Sequence, residues 1–152
     1  MKEKKIQAFV EVVRRYFDQF SDGELVVDTP YLSEDKKPKV YDYTGVIGIS
    51  GVMRGVVYVT ASTELLKVVL KDLHEENNSE AMMVDLVGEI ANTVAGNARS
   101  EFGPEFHIST PFVFKGSPTS IILPKEGRSF IIPILWQHEV GEIVACLEEV
   151  YN

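Results

Sequence analysis

The stretch DLVGEIANTVAGN, residues 85–97, gathers two carboxylates, two carboxamides and two glycines in thirteen positions. On a helix turning ~100° per residue, Asp85, Glu89, Asn92 and Gly96 fall in one narrow stripe, bordered by Gly88, Ala95 and Arg99. Met83, Val87, Ile90, Ala91, Val94 and Ala98 lie on the far side and predict the core-facing surface. Two readings fit the polar stripe. It could be a solvated helix face, or a surface that another molecule approaches closely, as a docking or an active stripe. A solvated face is normally filled with Lys, Glu, Gln and Arg. Each internal glycine costs ~1 kcal/mol relative to alanine, and Asp85 and Glu89 repel at i,i+4. Two glycines and an alanine leave the backbone accessible beside Glu89 and Asn92.

Other chemistries find little support. His74, His107 and His138 are scattered over a helix end, a strand start and a turn, without HExxH or other metal-ligand spacing. There is no GxSxG elbow, so a hydrolase triad is not expected. The glycines at 45, 48, 51 and 55 lack the Gly-Lys-Ser/Thr or GxGxxG arrangement of a phosphate loop and read as structural. The single cysteine, Cys146, excludes an internal disulfide and reads as a small buried strand residue. Trp136 reads as core or interface. A formal net charge of −8 argues against a nucleic-acid partner, which needs a basic face. No window approaches ~18 uncharged apolar residues and the start is charged rather than signal-like, so a cytoplasmic protein is expected, with no membrane span.

The elements that must carry the stripe follow from periodicity. Ile6, Phe9, Val10, Val13, Phe17 and Phe20 predict an amphipathic helix over 3–20, stopped by Ser21-Asp22-Gly23. SEDKKPK (33–39) reads as a polar loop. Residues 40–60 predict a β-hairpin turning near ISG. A helix over 62–78 has Ser62 as N-cap and breaks at Asn77-Asn78, and a second runs from Ser79 to about Phe102, closed by Gly103-Pro104. FHISTPFVFKG, PTSIILP, SFIIPILW and GEIVACLEEV are the remaining apolar runs, read as strands between turns. One domain over 1–152 is expected, of α+β or mixed α/β class, with long helices packed on a largely antiparallel sheet.

Asp85-x-x-x-Glu89-x-x-Asn92 resembles the signature of the CheC/CheX family of chemotaxis phosphatases. GISGVMRGVVYVTAS (48–62) is similar to that family's glycine-punctuated hairpin leading into a helix. GEIANTVAGNARSEFG (88–103) resembles its motif helix, and HISTPFVFKG (107–116) the strand that follows. The ExxN pattern alone is weak; three blocks in order over residues 48–116 are far more specific. The resemblance implies a CheC-like fold. The second half offers only Glu139-Val-Gly-Glu142, with no following Asn, which places the chain nearer the single-motif CheX members. Those form homodimers through sheet edges, and FIIPILW (130–136) is the candidate edge, although Pro133 can equally blunt one.

What the resemblance implies for function is hydrolysis of the aspartyl phosphate on a CheY-type receiver domain. Asn92 would place a water in line with phosphorus, and Glu89 would pair with the receiver's lysine. Asp85 would make a second contact, while Gly88 and Gly96 would let the two backbones come close. Magnesium would be bound by the response regulator, and no cofactor by this chain. The competing reading is a non-catalytic docking module of the kind related to flagellar-switch proteins. An intact Glu89–Asn92 pair favours catalysis, since a scaffold has no need of the carboxamide.

Overall fold

The structure is a computed structural model that describes residues 3–20, 22, 24–33, 39–116 and 129–150. The elements run α1 (Glu3–Phe17), β1 (Val26–Val27), β2 (Tyr31–Ser33), β3 (Tyr43–Gly51), β4 (Met53–Ala61), α2 (Thr63–Asp72) and α3 (Glu80–Phe102). They continue β5 (Phe106–Ile108), β6 (Phe112–Lys115), β7 (Ser129–Trp136) and β8 (Glu139–Glu149). The eight strands form one antiparallel sheet in the order β1-β7-β8-β4-β3-β5. In addition, β2 pairs with β7 and β6 with β3. The expected class, helices on a largely antiparallel sheet, is what forms. The expected strand at 118–124 and most of the loop at 33–39 lie outside the described residues.

Strand alternation sorts the sheet into two faces. Ile47, Val57 and Ala145 sit opposite one another in register with Phe130, and Val59, Ile143 and Ile132 form the next row. All are buried in the main core with the inward faces of α1, α2 and α3. Tyr58, Val144 and Cys146 belong to a smaller cluster on the opposite face. Cys146 is therefore the buried strand residue its apolar run predicts.

α3 is laid directly onto the hairpin. At Gly45 an added Cβ would stand 2.9 Å from the Val87 carbonyl oxygen and 3.3 Å from the Ala91 Cβ, so strand and helix touch backbone to backbone. Met83, Val87, Ile90, Ala91, Val94 and Ala98 are all buried, as the periodicity predicts. Both N-caps are satisfied, Ser62 Oγ by the Leu65 N–H and Ser79 Oγ by the Met82 N–H. Gly103, at φ +101, closes α3 with its N–H donating to the Arg99 carbonyl.

Two helix ends and the place of one strand differ from the expectations. α1 ends at Phe17, although Phe20 is still buried beyond it. α2 ends at Asp72, well before Asn77-Asn78. His74 adopts a left-handed φ of 60°, while the Glu75 N–H donates to the Leu70 carbonyl and the His74 N–H to that of Lys71. That is a Schellman closure with histidine in the position glycine usually fills. The run FIIPILW, expected as an open edge, is interior to the sheet: β8 lies on one side and β1 and β2 on the other. Its Pro133 carbonyl still accepts from the Asp28 N–H at 2.9 Å, but proline has no N–H to return, and the covering strand is broken there into two short pieces.

Candidate functional site

α3 delivers the stripe to the surface. Asp85, Glu89 and Asn92 are exposed, and among the described residues no hydrogen bond or ion pair engages their side chains. They are therefore not committed to holding the fold. Gly96 is half-buried, and an added Cβ there would find nothing within 4 Å. The helix is open along that end of the stripe. The structure thus brings Asp85, Glu89, Asn92 and Gly96 together as the spacing requires.

Gly88 behaves differently. It is buried, and a Cβ there would lie 3.0 Å from Val113 Cγ2 and 3.9 Å from Pro111 Cβ. One close approach it permits is made by this chain's own β6, beside the groove that Gly88 also lines. Its effect on the site is to draw residues 111–113 against the helix.

A shallow groove of about 590 Å³ results, with Gly88, Glu89 and Asn92 on one side and Ile108, Ser109, Thr110 and Pro111 on the other. The sequence reading left Ser109 and Thr110 out of the site. The signal available was the Thr-Pro pair inside an apolar run, since proline interrupts a strand ladder and turns its neighbours out of it.

A second hollow of about 420 Å³ lies on the other flank of α3. Val12, Arg15 and Tyr16 of α1, with Gln19 just beyond its end, face Thr93, Asn97, Ser100 and Glu101 across it. Arg15 closes one end with an ion pair to Glu101 at 3.1 Å. The Tyr16 ring is held edge-on by Phe17 and Phe20, with centroids 4.9 and 5.4 Å away. Burial, and then the neighbouring Glu89 carboxylate, push the Tyr16 phenol up to about 12. Tyr16 therefore faces Glu89 as a neutral hydroxyl at any working pH.

Among the described residues no group of three or more His, Cys, Asp or Glu side chains could hold a metal ion. His107 is drawn to Glu105 at 3.6 Å, away from the other histidines. No helix of the described residues is long and apolar enough to cross a membrane. What the site offers is an unengaged carboxamide and carboxylates on an exposed helix face beside a groove. Those groups can orient a water or pair with a cation brought by another molecule.

Similarity to other proteins agrees with this geometry. A family model described as the chemotaxis phosphatase CheX matches residues 43–135. The solved structure of a CheC-like superfamily protein from Shewanella sp. PV-4 is 30% identical, with a TM-score of 0.78 over 97% of this chain and 99% of its own. A chemotactic CheC-like protein from Shewanella oneidensis is 27% identical, with a TM-score of 0.82 over 97% of this chain and 100% of its own. CheX from Borrelia burgdorferi, whose structure is a complex with CheY, BeF3 and magnesium, shares the fold at 20% identity. Its TM-score is 0.70 over 96% of this chain and 97% of its own. Comparison with curated proteins finds no match. With the family model spanning more than half of the sequence and a 30%-identical relative aligned over nearly its whole length, the chain belongs to the CheX family of chemotaxis phosphatases.

Proposed function

We propose that this protein hydrolyses the aspartyl phosphate of a CheY-type receiver domain, with Asn92 and Glu89 as the working pair. The observation that carries this reading is their shared presentation: both are exposed on one face of α3, free of intramolecular partners, beside a groove a second protein can enter. Membership of the CheX family supports the reaction class. The Borrelia relative, seen with CheY, BeF3 and magnesium, supports the partner.

The chemistry suits these side chains. An acyl phosphate already has a good leaving group, and phosphoryl transfer passes through a loose transition state. Placing a water in line therefore matters more than a strong base. The Asn92 amide, carrying a donor and an acceptor, orients the water. The water oxygen forms the new bond to phosphorus while the bond from phosphorus to the aspartyl oxygen breaks. The aspartate leaves as a carboxylate, and inorganic phosphate and a proton are released. Glu89 pairs with a cation on the receiver and fixes the docked geometry, and Asp85 adds a second contact. Gly96 leaves the helix open to the receiver's backbone. Magnesium belongs to the receiver.

A homodimer would have to use an edge other than β7. β2 exposes Tyr31 and Leu32, at 47% and 49%, and is the better candidate. The test of function is phosphate loss from a phosphorylated CheY-type receiver, with wild type beside Asn92→Ala. Acceleration by wild type alone supports the reading. Binding without acceleration by either protein would instead make the chain a docking module, and equal rates from both would remove Asn92 from the chemistry.

A further inference from the structure

The strand after α3 does not run straight. β5 follows β3 as far as Ile108 opposite Ile49, and β6 resumes at Phe112 opposite Val46. Between them Ser109, Thr110 and Pro111 leave the ladder, since Pro111 has no N–H to donate. Ser109 pins the departure three times. Its N–H donates to the Gly48 carbonyl at 2.9 Å, its Oγ accepts from the Gly48 N–H at 2.8 Å, and the same Oγ donates to the Thr110 carbonyl at 3.0 Å. At the other end Pro111 and Val113 rest against Gly88. The segment is therefore clamped on both sides, and between the clamps the exposed Thr110 lines the groove across from Glu89 and Asn92.

We propose that Thr110 is a receiver-binding residue forming the second wall of the reaction site, and that Ser109 is the positioning residue that holds it there. This inference rests on the function proposed above. A receiver segment that brings its phosphoryl group to Asn92 occupies the groove and meets Thr110 on its opposite side. A threonine hydroxyl offers one donor and two acceptor lone pairs on a stiff β-branched side chain, so a fixed backbone makes it a defined contact. Ser109 spends its hydroxyl donor and one of its two acceptor lone pairs within the chain, and those bonds fix Thr110. Thr110 acts on docking and Asn92 on the chemical step, so the two should separate in kinetics.

The test is kcat and KM for phosphate loss from a phosphorylated CheY-type receiver. Affinity for the BeF3-loaded receiver is measured in parallel by fluorescence titration. Thr110→Val keeps the shape and loses the hydroxyl; it should raise KM and Kd about three- to tenfold with kcat within about twofold. Thr110→Phe fills the groove and should weaken binding by at least about tenfold. Ser109→Ala should follow Thr110→Val, and Ser109→Thr, which retains the oxygen, should restore wild-type KM; a merely structural loss would not be separated from kcat in this way. Thermal unfolding checks that each variant is folded, and Thr110→Val, isosteric at an exposed site, keeps the test alive if the larger side chain disturbs the loop. Asn92→Ala runs in the same series. If wild type is active, Asn92→Ala is dead, and both Thr110 variants bind and turn over like wild type, the second wall is refuted while the function stands. If wild type neither binds nor accelerates, the function itself fails and the inference falls with it.

Discussion

The tetrapeptide Val-Gly-Glu-Ile occurs twice in this chain, at 87–90 in α3 and at 140–143 in β8. The two copies end in opposite situations. In α3, Glu89 is exposed and uncommitted while its glycine is packed against Val113. In β8, Glu142 is 4% exposed, its Oε2 stands 4.0 Å from Lys39 Nζ, and its Oε1 has no hydrogen-bond partner among the described residues. Four residues cannot decide between helix and strand; the flanks do. Met83, Val94 and Ala98 extend the first copy at helical spacing, whereas Val144, Ala145, Cys146 and Leu147 extend the second as a continuous apolar run with both faces covered. The same glutamate then becomes a tool in one place and an electrostatic cost in the other.

The largest expected effect breaks the first copy's neighbourhood. Asn92→Ala should lower the rate of receiver dephosphorylation by roughly a hundredfold or more, because water placement is lost. Since Asn92 makes no contact that holds the fold, its thermal midpoint should stay within about a degree of wild type. Single-turnover phosphate release with parallel calorimetry checks both; a large fall in stability would recast the asparagine as structural. Glu89→Ala comes next, with kcat/KM down about ten- to hundredfold and most of the change in KM. The corresponding Glu142→Ala should leave kcat/KM within about twofold, which makes the two glutamates a direct test of which copy works.

Much of this was legible beforehand. The buried face of α3, the caps at Ser62 and Ser79, the Gly103 closure and the Asp85–Glu89–Asn92 stripe all follow from local spacing, and local spacing survives folding. Less legible was whatever depends on a distant neighbour. β1 and β2 are two and three residues long, too short to show a period, so nothing in the sequence announced that they cover β7. Gly88 and Gly96 look alike in the helix, yet only the position of β6 makes one a packing glycine and leaves the other open. Thr110 was hidden for the same reason. Its place in the groove comes from the Ser109–Gly48 hydrogen bonds, which join residues 61 positions apart.

The glycines of the two copies give a third, smaller contrast. At Gly141 a Cβ would stand 3.0 Å from the Thr60 carbonyl oxygen and 2.8 Å from Leu65 Cδ2. The leucine end can yield but the backbone oxygen cannot, so Gly141→Ala should destabilise by about 1–3 kcal/mol. At Gly88 the obstacle is the Val113 side chain alone at that range, and alanine is favoured in a helix by about 1 kcal/mol. Gly88→Ala should therefore be near neutral. Urea unfolding of the two variants compares them; a Gly88→Ala loss as large as that of Gly141→Ala would mean β6 is clamped to α3 more rigidly than Val113 alone accounts for.

The smallest effect concerns the charge of Glu142. Burial raises its carboxyl above the ordinary 4.5, and Lys39, the cation beside it, pulls only partly the other way; Tyr31 and Tyr58 are the other titratable groups coupled to it, and both are raised above 10 and so neutral at working pH. A carboxyl that holds its proton more tightly folded than unfolded destabilises the fold above its folded value. That cost shrinks as pH falls through the raised folded value toward 4.5, and it is gone only well below 4.5, where both states are protonated. Glu142→Gln, which cannot ionise, should melt a few degrees above wild type at pH 7. The gap should hold above the raised folded value and narrow as pH falls from there through 4.5, while the carboxylates common to both proteins cancel in the difference. A gap that stayed constant with pH would show that the Lys39 ion pair offsets the burial of the charge. Glu142 would then be a charged group in the folded protein despite its place in β8.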